Sequence, residues 1–237
     1  GWRYLMHTMT LKNITNHEFD LKITDWERPL FSDLYDEYKE IAGRDGRRHL
    51  PKELGNRTIR VQFFRVNSSP EEWFEVKKDI VAWLFTRNEV EIRFDDEPNI
   101  FYIGKVTEAD VPENYKPSTS FWITLTCHPL KYGQKTITNE TEFNYNGTYD
   151  KTPYLLTLEN VTANELIVNV NGVEIKYTDT LENATVTIDT NELELRVDDE
   201  LKVFEVEGYF SFLKPGQNVI DVNVDADITI EFMELFL

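Results

Sequence analysis

The sequence predicts a mainly β protein of two domains, the first carrying a single helix and the second a helix-free sandwich. Three observations lead there. Short runs rich in β-branched and aromatic residues recur along the whole chain, separated by turn residues. One segment alone has a convincing helical period. The composition also breaks near residue 135: Trp2, Trp26, Trp73, Trp83, Trp122, all four histidines and Cys127 precede it. Charge breaks at the same place, with 20 basic and 22 acidic residues in 1–135 against 5 and 21 in 136–237. We therefore assign residues 1–135 and 136–237 to separate domains.

In the first domain, Thr8–Ile14, Phe19–Thr24, Thr58–Val66, Glu89–Phe94, Ile100–Thr107 and Thr119–Cys127 read as strands. The helix spans about residues 70–86. Ser69 supplies its cap, Pro70 its first position, and Glu71 and Glu72 the carboxylates that the positive end of the helix dipole favours. Trp73, Val76, Ile80, Trp83 and Leu84 fall on one face, so the helix covers a sheet. From about residue 25 to 57 no clear period is visible, a length that compact domains seldom leave as bare loop. This segment combines tyrosines with the basic run Arg44-Asp45-Gly46-Arg47-Arg48-His49. Aromatic residues with arginines are an interface composition, so an arm that orders against a neighbouring subunit is expected.

In the second domain, strands are expected at Leu155–Leu158, Leu166–Val170, Val173–Tyr177, Ala184–Ile188, Leu193–Val197, Lys202–Val206, Val219–Val224 and Ile228–Phe232. Asn171-Gly172 marks a hairpin, because both of its turn positions require positive φ. Strands at this spacing without helices imply a β-sandwich. The polar stretch Thr136–Lys151 reads as a linker.

Function classes narrow quickly. The chain shows no run long and apolar enough for a membrane helix and no signal peptide, and Gly1–Leu5 reads as an expression remnant before a natural start at Met6 or Met9. A lone cysteine forms no internal disulfide, and the Asn-x-Thr triplets, such as Asn13-Ile14-Thr15, are those that an Asn- and Thr-rich β protein produces by chance. So acidic a second domain repels phosphate backbones and anionic lipids, so neither nucleic-acid nor membrane binding is expected. Walker, dinucleotide, nucleophile-elbow, zincin and Cys-x-x-Cys motifs are absent, and Cys127 and His128 are strand neighbours that face opposite ways. An enzyme, a catalytic residue, a cofactor and a bound metal are all unexpected. Asp221, Asn223, Asp225 and Asp227 imitate the start of a calcium loop, but Ala226 and Phe232 stand where glycine and glutamate are needed, which favours a solvated acidic strand face. Carbohydrate binding by the sandwich remains the alternative function. It would rest on Tyr145, Tyr149, Tyr154, Tyr177 and Tyr209, since that half lacks Trp and His.

The first half also carries a resemblance. Arg57-Thr58-Ile59-Arg60-Val61-Gln62-Phe63-Phe64 before the helix, Trp83-Leu84 at its end, Phe94-Asp95-Asp96-Glu97-Pro98 leading to Phe101-Tyr102-Ile103-Gly104-Lys105-Val106, and Phe121 through Tyr132 with Cys127-His128-Pro129 resemble the distal tail proteins of siphophages of Gram-positive bacteria. His128 stands where that family carries an acidic residue. Pro215-Gly216-Gln217-Asn218 before a strand pair resembles the family's C-terminal galectin-like sandwich. The resemblance implies a structural hub of the tail tip or baseplate: N-terminal β-barrel or sandwich domains closing a homo-hexameric ring, with galectin-like domains outward. Its implied partners are further copies of itself, the tail-tube protein, the tail-associated fibre or lysin protein and a receptor-binding protein. Its implied location is the virion tail tip, after synthesis in the bacterial cytoplasm. Ring contacts are expected from the arm, at Tyr35, Tyr38, Arg44, Arg47 and Arg48.

Overall fold

The computed structural model describes residues 7–40 and 47–237, with the backbone alone for 34–40 and 47–53. Two compact units form, one running up to Tyr132 and taking in Leu237, the other spanning Gly133–Phe236. Each has its own apolar core.

The first unit opens with β1 (Met9–Leu11) and β2 (Ile14–Thr15). The run expected as one strand, Thr8–Ile14, instead folds back on itself. Lys12 and Asn13 both take left-handed backbone conformations, φ 54° and 63°, and pair Leu11 with Ile14 in a two-residue hairpin. A second expected strand start, at Phe19, is a short 3-10 helix over Asn16–Phe19. Asn16 is buried and holds this turn, accepting from the Met9 amide at 2.8 Å and donating to the Leu21 carbonyl at 2.7 Å. There follow β3 (Lys22–Glu27), β4 (Leu34–Glu40), β5 (Arg47–Leu54), β6 (Arg57–Val66), α1 (Pro70–Leu84), β7 (Val90–Phe94), β8 (Tyr102–Ala109) and β9 (Ser118–Cys127). Seven of these strands make one antiparallel sheet in the order β2-β1-β7-β8-β9-β6-β3. Among the described residues no ladder joins β2 to β3, so the sheet stays open and the barrel form expected as one option does not close.

Alternation in β6 and β9 sets the core side. Ile59, Val61 and Phe63 are buried on one strand and Phe121, Ile123, Leu125 and Cys127 on its neighbour. Helix α1 covers this face with Trp73, Ile80, Trp83 and Leu84. Trp83 lies between Phe19 and Phe63 and donates its indole N–H to the Leu11 carbonyl at 3.1 Å. Both helix ends are satisfied. At the start, the Ser69 hydroxyl accepts from the Glu72 amide at 3.2 Å, while Glu72 itself pairs with Arg65 and accepts from the Ser68 amide. The Arg65 guanidinium and that amide hold the Glu72 carboxyl down to about 2. At the other end, Lys12 Nζ donates to the Ala82 and Phe85 carbonyls, a cation where the dipole is negative.

The second unit contains β10 (Lys131–Thr138), whose first two residues belong to the first unit, then β11 (Glu142–Tyr145), β12 (Tyr154–Ala163), β13 (Leu166–Val170), β14 (Val173–Tyr177), β15 (Leu181–Asp189), β16 (Glu194–Val197), β17 (Glu200–Lys202), β18 (Val206–Gly208), β19 (Gly216–Val222) and β20 (Asp227–Phe236). A six-stranded sheet, β10-β20-β12-β15-β16-β17, and a five-stranded sheet, β11-β19-β13-β14-β18, share one apolar core. Asn171-Gly172 makes the expected hairpin turn, with φ 54° and 85°. Two expectations are corrected. The supposed linker at 136–151 carries the end of β10 and all of β11, because Tyr145 enters the core and its hydroxyl accepts from the Leu235 amide at 2.8 Å. The supposed strand Lys202–Val206 is the crossing between two sheets, β17 at the edge of one and β18 at the edge of the other.

Candidate subunit interface

The arm is a hairpin. The paired strands β3 and β6 of the main sheet lead into β4 and β5, which among the described residues pair only with each other. Sequence reading found no period here. The arm's strands form a separate two-stranded ribbon, β4 paired with β5. At its foot the Gly55 amide donates to the Asp33 carbonyl at 2.7 Å. Along the ribbon Tyr38 stands opposite His49, Lys39 opposite Arg48 and Glu40 opposite Arg47, with a register shift between Leu34 and Asp36 that takes in Tyr35. Four of the five residues expected at the ring contact, Tyr35, Tyr38, Arg47 and Arg48, therefore belong to one ribbon. Arg44 lies outside the described residues.

Isolated two-stranded ribbons are marginal in water, so the root must hold this one. Arg57 begins β6 with only 1% of its surface exposed. Its guanidinium donates to the Pro29 carbonyl at 2.6 Å and to the Pro129 carbonyl at 3.1 Å. Burial lowers its pKa, partly offset by nearby Tyr102, Cys127 and Glu97, but an arginine stays charged. Arg28 lies 4.3 Å from the Trp26 ring centroid and 4.7 Å from that of Phe94, and pairs with Asp96 and Glu97. Glu97 also binds Lys131 at 2.8 Å and the Tyr102 hydroxyl. Burial would raise the Glu97 carboxyl, but the hydrogen bonds from Lys131 and Tyr102 and the charges of Lys131 and Arg28 leave it lowered. The Phe94–Pro98 stretch, noted above only as wording, thus clamps the strand that enters the arm. Beyond the clamp Leu30 and Phe31 are 83% and 65% exposed, which makes the root itself an apolar contact surface.

A second apolar surface lies on the outer face of α1. Phe74, Val81 and Phe85 stand at i, i+7 and i+11, one line along the helix, and all three are exposed. Beside them Val106, Ala109 and Val111 complete a groove of about 420 Å³ with Lys77, Glu108 and Glu113 as its charged lining. The sequence reading placed the buried line of this helix and passed over the exposed one, although the same spacing would have found it.

Most of the remaining candidates are occupied elsewhere. Burial pushes the Cys127 thiol up to about 12, and His128 instead bridges Glu89 at 2.9 Å and the Tyr132 hydroxyl at 2.8 Å. The imidazole thus has a structural partner on each nitrogen. Of the five tyrosines weighed for sugar binding, Tyr145, Tyr154 and Tyr177 are buried in the core, Tyr149 is half-buried and Tyr209 is exposed. In the acidic run, Asn223 accepts from the Ile167 amide at 2.7 Å and donates to the Glu165 carbonyl at 3.2 Å, and Asp227 accepts from Asn160 at 2.7 Å. Those two oxygens pin a strand connection.

Residues 13–127 match the family model of the phage tail protein RIFT-related domain. No curated protein matches the chain. Among solved structures the fold is similar to that of the SPP1 Dit protein, described as a paradigm of the hub adsorption apparatus in phages that infect Gram-positive bacteria. The TM-score is 0.78 at 18% identity, over 98% of this chain and 99% of that one. Chains of the phage P2 baseplate in its activated conformation, with calcium and with strontium, reach TM-scores of 0.46 at 10% identity over 96% of this chain and 97% of theirs.

Proposed function

We propose that the chain is a structural hub of a phage tail tip or baseplate, not an enzyme; the match of residues 13–127 to the phage tail protein RIFT-related domain supports this reading. Copies close a ring, six in number, through their first domains. The observation that carries this reading is the hairpin β4–β5. It extends from a clamped root, pairs with no other strand among the described residues, and stands beside exposed Leu30 and Phe31.

A closed ring needs two different surfaces on each protomer, one to give and one to receive. The arm and its root are the giving surface. The exposed line Phe74–Val81–Phe85 and its groove are the receiving one, with Glu108 and Glu113 suited to Arg47 and Arg48 of the neighbour's arm. The ring joins the tail-tube protein on one side to the tail-associated fibre or lysin protein on the other. The acidic second domains lie outward, open to a receptor-binding protein, and their shared charge keeps neighbours apart. Synthesis is in the bacterial cytoplasm and the working place is the virion tail tip.

Two variants test the head-to-tail arrangement. In the first, residues 34–54 are replaced by Asn-Gly, a turn that the short Asp33–Gly55 distance accommodates. In the second, Phe85→Asp charges the receiving line. Each alone is expected to be a folded monomer by light scattering and tryptophan fluorescence. Mixed together they are expected to stop at a dimer, since only one arm and one intact receiving face remain to meet. An unaltered oligomer from either variant alone would sink this assignment.

A further inference from the structure

Five of the six exposed large apolar residues in the second unit fall within one stretch: Leu193, Leu201, Val203, Phe204 and Tyr209, at 54, 49, 62, 97 and 79%. Singly exposed apolar residues need no explanation, but a cluster does. Its place in the fold is specific. Strands β17 and β18 are the edges of the two sheets, and Val203-Phe204-Glu205 joins them. The β16–β17 ladder pairs Leu195 with Lys202, so Leu193 and Phe204, each two residues further out, come to the same end of the ladder. Leu193 sits there at φ 58°, a left-handed conformation that bulky side chains rarely adopt.

The surrounding charge is predominantly negative. Asp198, Asp199, Glu200, Glu205 and Glu207 lie in the same stretch. The two cations present are already neutralised: Arg196 pairs with Glu194 at 2.8 Å and Lys202 with Glu200 at 2.9 Å. Among the described residues Asp199, Glu205 and Glu207 carry no ion pair.

We infer that this edge, residues 193–209, is a docking surface for a Lys- or Arg-rich protein segment, anchored by Phe204 entering an apolar socket on the partner. Both parts of the argument are needed. A bare aromatic could stack on a sugar, but Leu193, Leu201 and Val203 offer sugar hydroxyls nothing, whereas aliphatic and aromatic side chains together form the dry centre of a protein contact. The carboxylates at the rim then select a basic partner and speed encounter with it. The surface is independent of the ring: it can be tested on the monomeric arm-deletion variant as well as on the full chain, so failure of one proposal leaves the other standing.

The probes are two synthetic peptides of equal length and equal Leu and Phe content, one with Lys and the other with Glu at every polar position. By calorimetry or fluorescence, the Lys peptide is expected to bind the full chain at least about tenfold tighter than the Glu peptide, and to weaken as salt rises. Phe204→Ser, an exposed change that leaves the core untouched, is expected to weaken it by about another tenfold. Equal binding of both peptides, no binding, or binding indifferent to Phe204→Ser overturns the proposal. Phe204-dependent binding of cell-wall polysaccharide in place of the Lys peptide would overturn it too.

Discussion

Replacing Trp83 with alanine is expected to destabilise the first domain by about 3–5 kcal/mol, the usual cost of emptying a buried aromatic site. Trp83 is 3% exposed and packs between Phe19 and Phe63, and its indole N–H satisfies the Leu11 carbonyl. It therefore ties three things together: the end of α1, the core face of β6 and the hairpin at the start of the sheet. Tryptophan fluorescence during urea unfolding is the natural measurement, because all five tryptophans lie in residues 1–135 and the signal reports this domain. Trp73→Ala, at a site with no exposure, should cost a similar amount. Its indole nitrogen, however, has no partner, so Trp73→Phe should be far milder than Trp83→Phe. Equal losses from the two Trp→Phe changes would show that the Leu11 hydrogen bond contributes little.

Asn218→Ala is expected to cost the second domain about 2–4 kcal/mol. The side chain is fully buried and makes four hydrogen bonds. Its oxygen accepts from the Lys214 amide at 3.0 Å and the Asn171 amide group at 2.8 Å, and its nitrogen donates to the carbonyls of Lys214 at 2.8 Å and Gly216 at 2.9 Å. At roughly 0.5–1.5 kcal/mol each, these bonds add up to several kcal/mol before any carbonyl is left unpaired. They bind the turn before β19 to the Asn171-Gly172 hairpin, which explains physically why Pro215-Gly216-Gln217-Asn218 has the form it does. Asn218→Asp keeps the acceptors but turns a carboxylate toward two carbonyls, so it should fail as well. Denaturant unfolding followed by the far-ultraviolet signal measures both, and a loss under about 1 kcal/mol for alanine would refute the account of this turn.

How legible the fold was depended on whether a segment buries a face. Strand β6, helix α1 and the hairpin at Asn171-Gly172 announce themselves, because a core demands a period and a tight turn demands particular residues. The arm does not. Leu34 to Glu40 mixes charge and tyrosine without an apolar period, and Pro51 interrupts its partner strand, so only composition marked it as an interface. The stretch Lys202–Val206 reads as one strand because its residue types suit a strand, but two three-residue edges of different sheets leave no periodic trace. Long-range contacts were invisible for a different reason. Nothing local in Arg57 predicts that its side chain joins Pro29 to Pro129, nor in Glu97 that it gathers Arg28, Tyr102 and Lys131. The exposed line Phe74–Val81–Phe85 of α1 follows the same helical spacing as the buried face and is legible in the sequence for that reason.

The central claim, that first domains close into a ring, is tested most directly by the mass of the full chain in solution. Light scattering coupled to size exclusion is expected to give a single species of about 170 kDa, six copies of a 28.0-kDa chain. A species of 28.0 kDa at the highest soluble concentration, or a two-fold dimer, would contradict it.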